Sequence, residues 1–377
     1  MKITSLEPLI VDVESRNWLF VVVETDEGVS GVGEGSLPGH PRAVAAAVEE
    51  YREYLVGEDP ARIQHLWQLM YRQPFFRGGV VTLSAMSAIE QALWDIKGKV
   101  AGLPVYQLLG GRCHDRIKLY ANGPAGATLE ELGESAQSLV ERGFTAMKTG
   151  IADPVLPIQG DGVFGRAAEQ LEALRNAVGN EVEIAWDAHG RLTPAMSIKL
   201  ARALEPYQIW FLEEPALPEN AKGLAQVARA TSIPVATGER LFTKWAFREV
   251  LELGAAALLQ PDVSHCGGVL EARAIAAMAE VYFCGFAPHN PLGPVNTIVS
   301  AHVAMASPNF VALEICFYAE DWTRELTEPL EFVDGYLELS DKPGWGVELD
   351  VELCRAHPYK PYTLPILQHP SGAIADW

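Results

Sequence analysis

Three acidic residues, each at the end of a short apolar run, stand at equal intervals in the middle of the chain. These residues are Asp187, Glu213 and Glu239, and each lies 26 positions from the next. A strand, a loop and a helix occupy about this length in an eight-unit barrel of ~250 residues. The spacing therefore predicts consecutive parallel strands that carry one carboxylate each to the same rim. Three hard oxygen ligands around one point are typical of a Mg²⁺ site.

The surrounding sequence also has the pattern of a barrel. From residue 117 onward strand and helix patterns alternate, and the predicted strands span 117–121, 146–149, 183–189, 209–213, 234–239, 257–262, 285–289 and 311–316. Eight strands joined by helices favour a closed parallel barrel over an open sheet. An open doubly wound sheet more naturally has a glycine-rich phosphate loop after its first strand. The segment Asn122-Gly-Pro-Ala-Gly126 matches such a loop poorly.

The segment before the barrel has a different organisation. Strand patterns at 3–13, 18–24 and 28–35 are followed by helical patterns at 41–55, 59–71 and 83–101. Runs of strands followed by runs of helices indicate a separate α+β domain. We therefore predict an α/β protein with an N-terminal α+β domain (1–116), a barrel (117–321) and a C-terminal segment (322–377) that returns to the first domain.

Composition restricts the class of partner. The chain is 49% apolar and 21% charged, which is ordinary for a globular protein, and no run approaches the ~18 apolar residues of a membrane helix. The net charge of −20 disfavours nucleic acids and anionic membrane surfaces, because phosphate binding needs a basic face. Five cysteines without CxxC spacing, and an N-terminus without a signal-peptide pattern, predict a cytoplasmic protein with reduced thiols.

A carboxylate and an imidazole follow the acidic triad. Asp262 ends the predicted sixth strand and His289 ends the seventh, so adjacent strands place them side by side. A carboxylate beside an imidazole fixes the tautomer of the ring and raises its basicity. Side chains two apart on a strand share a face, so His189 is expected to point the same way as Asp187. His265, which follows the predicted end of the sixth strand, is interpreted as a loop histidine.

The same alternation on a strand applies to the adjacent acids Glu213 and Glu214. It makes only one of the two face the interior of the barrel. Because Glu213 keeps the 26-residue spacing, it is the predicted metal ligand.

Together these motifs resemble the enolase superfamily, in its mandelate racemase-like branch, over nearly the whole chain. The matching segments are Glu24–Gly28, Ala92–Lys99, Asp187–Arg191, Glu213–Pro215, Gly238–Arg240, Gln260–Asp262 and Ala287–Pro294. The resemblance implies that the N-terminal domain caps a modified (β/α)7β TIM-type barrel. It implies one Mg²⁺ per subunit on Asp187, Glu213 and Glu239, and a homo-oligomer that is a dimer or an octamer.

The resemblance also implies catalytic roles. His289, supported by Asp262, would remove the proton α to a substrate carboxylate, as superfamily members with a histidine base do. His189 would act as the general acid for the departing 3-hydroxyl group. Glu314 would hydrogen-bond the substrate carboxylate or an enediolate oxygen. Loss of water gives an enol that tautomerises to a 2-keto-3-deoxy acid.

Four further residues are predicted to bind the substrate. Lys148 lies on the second barrel strand, and Arg191 follows the third. Trp18 follows the first turn of the capping domain, and Arg77 lies in the loop 73–79. For Arg77 the alternative of a surface arginine at an interface stays open.

Two departures from related enzymes favour dehydration. Racemases of this group carry a Lys-X-Lys pair on the second barrel strand, whereas this chain has Lys148-Thr-Gly150. Muconate-cycloisomerase-like members carry a lysine on the sixth strand, whereas this chain has Gln260-Pro-Asp262. We expect Mg²⁺-dependent dehydration of an aldonate, with D-galactonate as the best single choice. Dehydration of gluconate, arabinonate, mannonate or galactarate, lactone cycloisomerisation, and a catalytically silent metal-binding homologue stay open as alternatives.

Overall fold

The computed structural model describes residues 1–151, 153–317, 319–328 and 330–376. The N-terminal part is an antiparallel sheet in the order β1-β2-β3, packed against helices. Its elements are β1 (Ile3–Asp12), β2 (Asn17–Thr25), β3 (Ser30–Glu34), α1 (Pro41–Leu55), α2 (Ile63–Arg72), α3 (Val80–Ala101) and α4 (Val105–Leu108).

Helix α3 is the central element of this part because it is buried on most of its circumference. A helix that is apolar all round belongs in an interior. Two glycines let it lie directly on β3. A Cβ atom added to Gly33 would lie 1.9 Å from the carbonyl oxygen of Ala88, and one added to Gly31 would lie 2.2 Å from that of Ala92.

The barrel consists of parallel strands joined by helices. Its strands are β4 (Ile117–Asn122), β5 (Ala146–Gly150), β6 (Glu183–Asp187), β7 (Leu212–Glu213), β8 (Val235–Thr237), β9 (Leu258–Leu259), β10 (Gly285–Phe286) and β11 (Leu313–Ile315). Its helices are α5 (Leu129–Glu141), α6 (Gly162–Val178), α7 (Pro194–Leu204), α8 (Ala221–Ala230), α9 (Thr243–Glu252), α10 (Val269–Val281) and α11 (Pro294–Met305).

The predicted barrel is confirmed. Strands β4 to β10 pair in sequence order, and β11 pairs in parallel with β4. The ring closes between β10 and the residues before β11, where Phe286 bridges Phe310. Across the described residues this makes eight parallel strands and seven connecting helices, a (β/α)7β arrangement.

Mostly small side chains fill one layer of the barrel interior. Each strand or its flank contributes one member: Tyr120, Ala146, Ala185, Phe211, Ala236, Leu258, Ala287 and Ala312. Barrel interiors are packed with side chains in such layers, so the interior is a core and not a pore. The functional groups are consequently confined to the rims.

The C-terminal segment contains α12 (Glu320–Leu326), β12 (Phe332–Val333), β13 (Tyr336–Leu337) and α13 (Val351–Ala356). Strand β13 pairs antiparallel with β4, and α13 packs on β1. Beyond α13 the chain stays at the first sheet, because Pro358 bridges Val11 and the Asp12 amide donates to the His357 carbonyl at 2.9 Å. The boundaries 1–116, 117–321 and 322–377 stay predictions.

In the part of the chain that the structure describes, no helix combines the length and the apolar character needed to cross a bilayer.

The buried carboxylate of Asp12 attaches the C-terminal tail to the first sheet, because it pairs with the Lys360 ammonium at 2.5 Å and accepts from the Tyr362 hydroxyl at 2.5 Å. Hydrogen bonds to a charged group contribute about 1.5–3 kcal/mol each. Asp12→Ala should therefore raise the rate of chymotryptic cleavage after Tyr362 about tenfold or more. Glu24→Ala, which removes an exposed carboxylate of the same sheet, is the control. Equal cleavage rates in the two variants would show that Asp12 does not hold the tail.

Candidate active site

The predicted site residues gather at the carboxyl ends of the barrel strands. Asp187 and Glu213 are the last residues of β6 and β7. Glu239 follows β8, and Asp262 and His289, which follow β9 and β10, form a parallel bridge. Barrel active sites lie at this face because loops after successive strands converge there.

The acidic triad forms a compact set of oxygen donors. Asp187, Glu213 and Glu239 each offer one carboxylate oxygen, and these atoms lie within 4.8 Å of one another. Lys148 is buried among them, with its Nζ 2.7 Å from Glu213 Oε1 and 3.1 Å from Asp187 Oδ2. The same ammonium lies 3.0 Å from Glu314 Oε1, so the predicted substrate-binding lysine contacts two of the three predicted metal ligands and also Glu314.

The charges in this cluster are unbalanced. Burial lowers the pKa of Lys148, but the surrounding carboxylates outweigh that effect and hold it well above its ordinary value. Burial and the charge of Asp187 raise the pKa of Glu213 to about 8. Against the effect of burial, Lys148 and His189 hold the pKa of Asp187 below its ordinary value. One ammonium therefore does not neutralise the triad, whose buried oxygen donors fit a hard divalent cation.

His289 lies between two groups of carboxylates. Its Nδ1 is 2.8 Å from Asp262 Oδ2, while its Nε2 is 3.0 Å from Glu239 Oε2 and 3.9 Å from Glu314 Oε2. Burial lowers the pKa of His289, but Glu239, Glu314 and the hydrogen bond to Asp262 raise it well above its ordinary value. The contact with Asp262 directs Nε2 toward the triad.

His189 lies next to the triad, but on a turn and not on the predicted strand. Strand β6 ends at Asp187, so the prediction that it continues to residue 189 is wrong. His189 has φ of 48°, in the left-handed region, and its amide donates to Asp187 Oδ1 at 2.8 Å. The turn brings His189 Nε2 to 3.1 Å from Asp187 Oδ2. His189 therefore contacts one end of the triad, while His289 contacts Glu239 at the other.

Glu213 and Glu214 face different partners. Glu213 lies in the triad, whereas the Glu214 side chain accepts a hydrogen bond from Arg240 Nε at 2.8 Å. Burial raises the pKa of Glu214 well above its ordinary value. The buried pair with Arg240 also holds the turn after β6, because Arg240 donates to the His189 carbonyl at 2.9 Å.

Three amide side chains complete the site and were not among the predicted residues. Asn122 Nδ2 donates to Glu314 Oε1 at 2.6 Å, and Asn290 Nδ2 donates to the Glu314 backbone carbonyl at 2.9 Å. Gln260 Nε2 donates to Glu213 Oε2 at 2.8 Å. Gln260 and Asn290 lie within the matching family segments 260–262 and 287–294. For Asn122 the only signal was its place at a strand end, since amides have no spacing rule of their own.

Among the described residues, three other predicted substrate contacts form no hydrogen bond or ion pair with the acidic triad. Arg191 donates to the Ile151 carbonyl and lines a cavity of about 270 Å³ beside the tail. Arg77 is exposed, with no hydrogen bond or ion pair to any described residue. Trp18 is buried with 1% exposure and lines a second cavity of about 310 Å³. Substrate contacts by these residues stay predictions.

Gly150 explains the missing second lysine on β5. Gly150 pairs with Asp187 across β5 and β6, and an added Cβ atom would lie 2.2 Å from the Asp187 carbonyl oxygen. Any side chain at this position therefore requires the backbone of the first metal-ligand candidate to move.

The different environments of the adjacent acids allow a test of the metal site. Glu213→Gln should weaken Mg²⁺ binding at least about tenfold, because it removes a charged oxygen donor. Glu214→Gln is the matched control and should keep the affinity, because Glu214 pairs with Arg240. Isothermal titration calorimetry of the two folded variants measures both affinities. Equal losses would exclude Glu213 as a specific ligand.

Comparisons with known proteins identify the family. The profile described as mandelate racemase/muconate lactonizing enzyme, N-terminal domain, matches residues 4–110, and the profile described as enolase C-terminal domain-like matches residues 131–353. The chain is 41% identical to the D-galactonate dehydratase of Variovorax paradoxus (strain S110), with 100% of each chain covered. It is also 41% identical to the D-galactonate dehydratase of Cronobacter sakazakii (strain ATCC BAA-894), again over 100% of both.

Solved structures give the same result. The mandelate racemase/muconate lactonizing enzyme from Jannaschia sp. CCS1 superposes with a TM-score of 0.91 at 32% identity, covering 96% of this chain and 99% of that chain. A member of the enolase superfamily from Salmonella Typhimurium superposes with a TM-score of 0.89 at 31% identity, covering 95% and 98%. The chain therefore belongs to the mandelate racemase/muconate lactonizing enzyme branch of the enolase superfamily.

Proposed function

We propose that this protein is a Mg²⁺-dependent dehydratase of a sugar acid, with D-galactonate as the leading substrate. The observation that carries the proposal is the placement of His189 and His289 at opposite ends of one acidic triad. Such an arrangement offers a base and an acid to the two ends of one substrate. The 41% identity over the whole chain to relatives named D-galactonate dehydratase supports the choice of substrate.

Asp187, Glu213 and Glu239 would hold the cation. When bound, Mg²⁺ supplies positive charge that stabilises the charge developing on a carboxylate whose α-proton leaves, worth several kcal/mol. Lys148 contributes a second positive charge to the same region. Glu314, fixed by Asn122, contributes an acceptor for a protonated substrate oxygen.

His289 is the proposed base. A base must be neutral, yet in this structure Glu239 raises the pKa of His289. A cation held by Glu239 would share its charge and weaken that effect, while burial acts on the pKa of His289 in the opposite direction, toward a neutral ring. Asp262 keeps the other ring nitrogen as the donor, so Nε2 is the acceptor.

His189 is the proposed acid. Its side chain is 36% exposed, so it can exchange protons with solvent between turnovers. It donates a proton to the 3-hydroxyl group, the C3–O bond breaks, and water leaves. The electron pair of the broken C2–H bond forms the C2=C3 double bond. The resulting enol tautomerises to a 2-keto-3-deoxy acid.

The alternatives are less well supported. Racemisation through a lysine pair is disfavoured because Gly150 cannot accept a side chain on this backbone. A silent homologue is disfavoured because the triad, His189 and the Asp262–His289 pair are all assembled. We also infer one Mg²⁺ per subunit and a dimer or octamer, as the family resemblance implies. A cytoplasmic location is inferred from the predicted reduced thiols.

A panel of aldonates and aldarates tests the reaction class. With Mg²⁺ present, we expect a 2-keto-3-deoxy product from D-galactonate, detected by semicarbazide derivatisation and NMR. The same panel includes gluconate, arabinonate, mannonate and galactarate, so turnover of one of these instead would reassign the substrate. A metal-loaded protein that dehydrates none of them would refute the proposal.

Variants of the two histidines separate their roles. His289→Asn should lower α-proton exchange of the substrate in deuterated water about 10²–10⁴-fold, because the base is lost. His189→Asn should keep that exchange while dehydration falls by a similar factor. Mg²⁺ affinity, measured in parallel, should be retained in His289→Asn. Exchange that survives in His289→Asn would exclude His289 as the base.

A further inference from the structure

Two buried carboxylates of the N-terminal part bind the N-termini of neighbouring barrel helices. Glu34 accepts from the Gly293 amide at 2.7 Å and from the Asn296 amide at 2.8 Å, at the start of α11. Glu90 accepts from the Val269 amide at 2.8 Å and, through its other oxygen, from the next amide at 3.1 Å, at the start of α10. The free N–H groups and the dipole of a helix N-terminus favour such anions.

Both contacts require glycine at the helix start. A Cβ atom added to Gly293 would lie 2.8 Å from a Glu34 oxygen, and one added to Gly268 would lie 2.3 Å from a Glu90 oxygen. The two carboxylates are also alike in environment, because both are completely buried and burial raises the pKa of each to about 7. Glu34 and Glu90 therefore differ mainly in the further residues to which each helix start is hydrogen-bonded.

From Glu34 a continuous chain of hydrogen bonds leads to the proposed base. The Asn296 residue that donates its amide to Glu34 accepts from the Ser264 hydroxyl at 2.8 Å through its side chain. The Ser264 amide donates to Asp262 Oδ1 at 2.8 Å, and Asp262 Oδ2 lies 2.8 Å from His289 Nδ1. Every residue in this series of hydrogen bonds, except His289, is fully buried.

A second branch reaches the residue next to the base. Asn296 Nδ2 donates to Asn290 Oδ1 at 3.0 Å, and Asn290 is bonded directly to His289 in the chain. Asn290 is in turn held by Glu314 and by the Thr297 hydroxyl at 2.8 Å. Asn296 therefore connects Glu34, through hydrogen bonds, to both the Asp262 turn and the His289 loop.

Glu90 has no comparable route among its described hydrogen bonds. Apart from the helix start, its carboxylate accepts only from Trp94 Nε1 at 2.8 Å, within α3 itself. Glu90 therefore fixes the position of α10 without contacting the Asp262 turn through side chains.

We propose that Glu34 is a positioning residue that sets the orientation of the Asp262–His289 pair from the N-terminal domain. The inference builds on the proposed function, in which His289 is the base. Proton abstraction depends on the placement of Nε2, and a misplacement of about 1 Å costs roughly 10²-fold in rate. A buried, fully bonded network can supply this precision because its members have no alternative partners in water.

Glu34→Gln and Glu90→Gln form a matched pair for the test. Glutamine keeps the volume but turns an N–H₂ group toward one helix amide, so both variants lose one buried acceptor and should lose similar stability. At equal unfolding midpoints, we expect α-proton exchange to be about 10–100-fold slower in E34Q than in E90Q. Exchange rates that are the same in both variants would overturn the proposal.

A second readout needs no substrate. With ¹⁵N-labelled histidine, the Nδ1–H proton of His289, assigned by its loss in His289→Asn, reports the hydrogen bond to Asp262. This resonance should shift or broaden in E34Q and stay at its wild-type position in E90Q. If it is unmoved in E34Q, the proposal fails, even where the substrate panel has found no turnover.

The variant Ser264→Ala keeps the test decisive if E34Q does not fold. It removes only the hydroxyl that joins the Asp262 turn to Asn296. The same slower exchange and the same displaced resonance are expected. Wild-type values for both in Ser264→Ala would overturn the proposed chain.

Discussion

Repulsion among buried carboxylates is the constraint on which the rest of the site depends. Asp187, Glu213 and Glu239 bring oxygen atoms within 4.8 Å of one another at a rim largely closed to solvent. Lys148 offsets part of this charge, and His289 and His189 contact the two ends. Buried charges persist only when they are paired or bind a metal. The cluster is thus suited to a divalent cation and to an anionic substrate brought to it.

The two histidines differ in their surroundings. His289 is enclosed by Asp262, Glu239 and Glu314, and its orientation is fixed from both ring nitrogens. His189 is more exposed and sits on a left-handed turn beside Asp187. An enclosed base and an accessible acid suit a reaction that removes a carbon-bound proton and then releases water.

The N-terminal domain is part of this arrangement. Its helix α3 and strand β3 meet the barrel at the loops that follow β9 and β10, where Glu34 and Glu90 bind the starts of α11 and α10. His265, interpreted from the sequence as a loop histidine, lies buried at this junction, with Nδ1 2.8 Å from the Ser84 hydroxyl. Burial lowers the pKa of His265, which suits a neutral ring between two domains.

The sequence by itself determined the barrel, the acidic triad and the Asp262–His289 pair. Parallel strands repeat at a regular interval, so residues spaced by one βα unit reach the same rim whatever lies between them. Only the tertiary structure decided the turn that brings His189 to Asp187 and the link from Glu34 to His289. The link from Glu34 to His289 joins residues 34, 296 and 264, which come together only through the packing of the two domains. Domain packing depends on complementary surfaces, and it produces no repeating pattern of residues in the sequence.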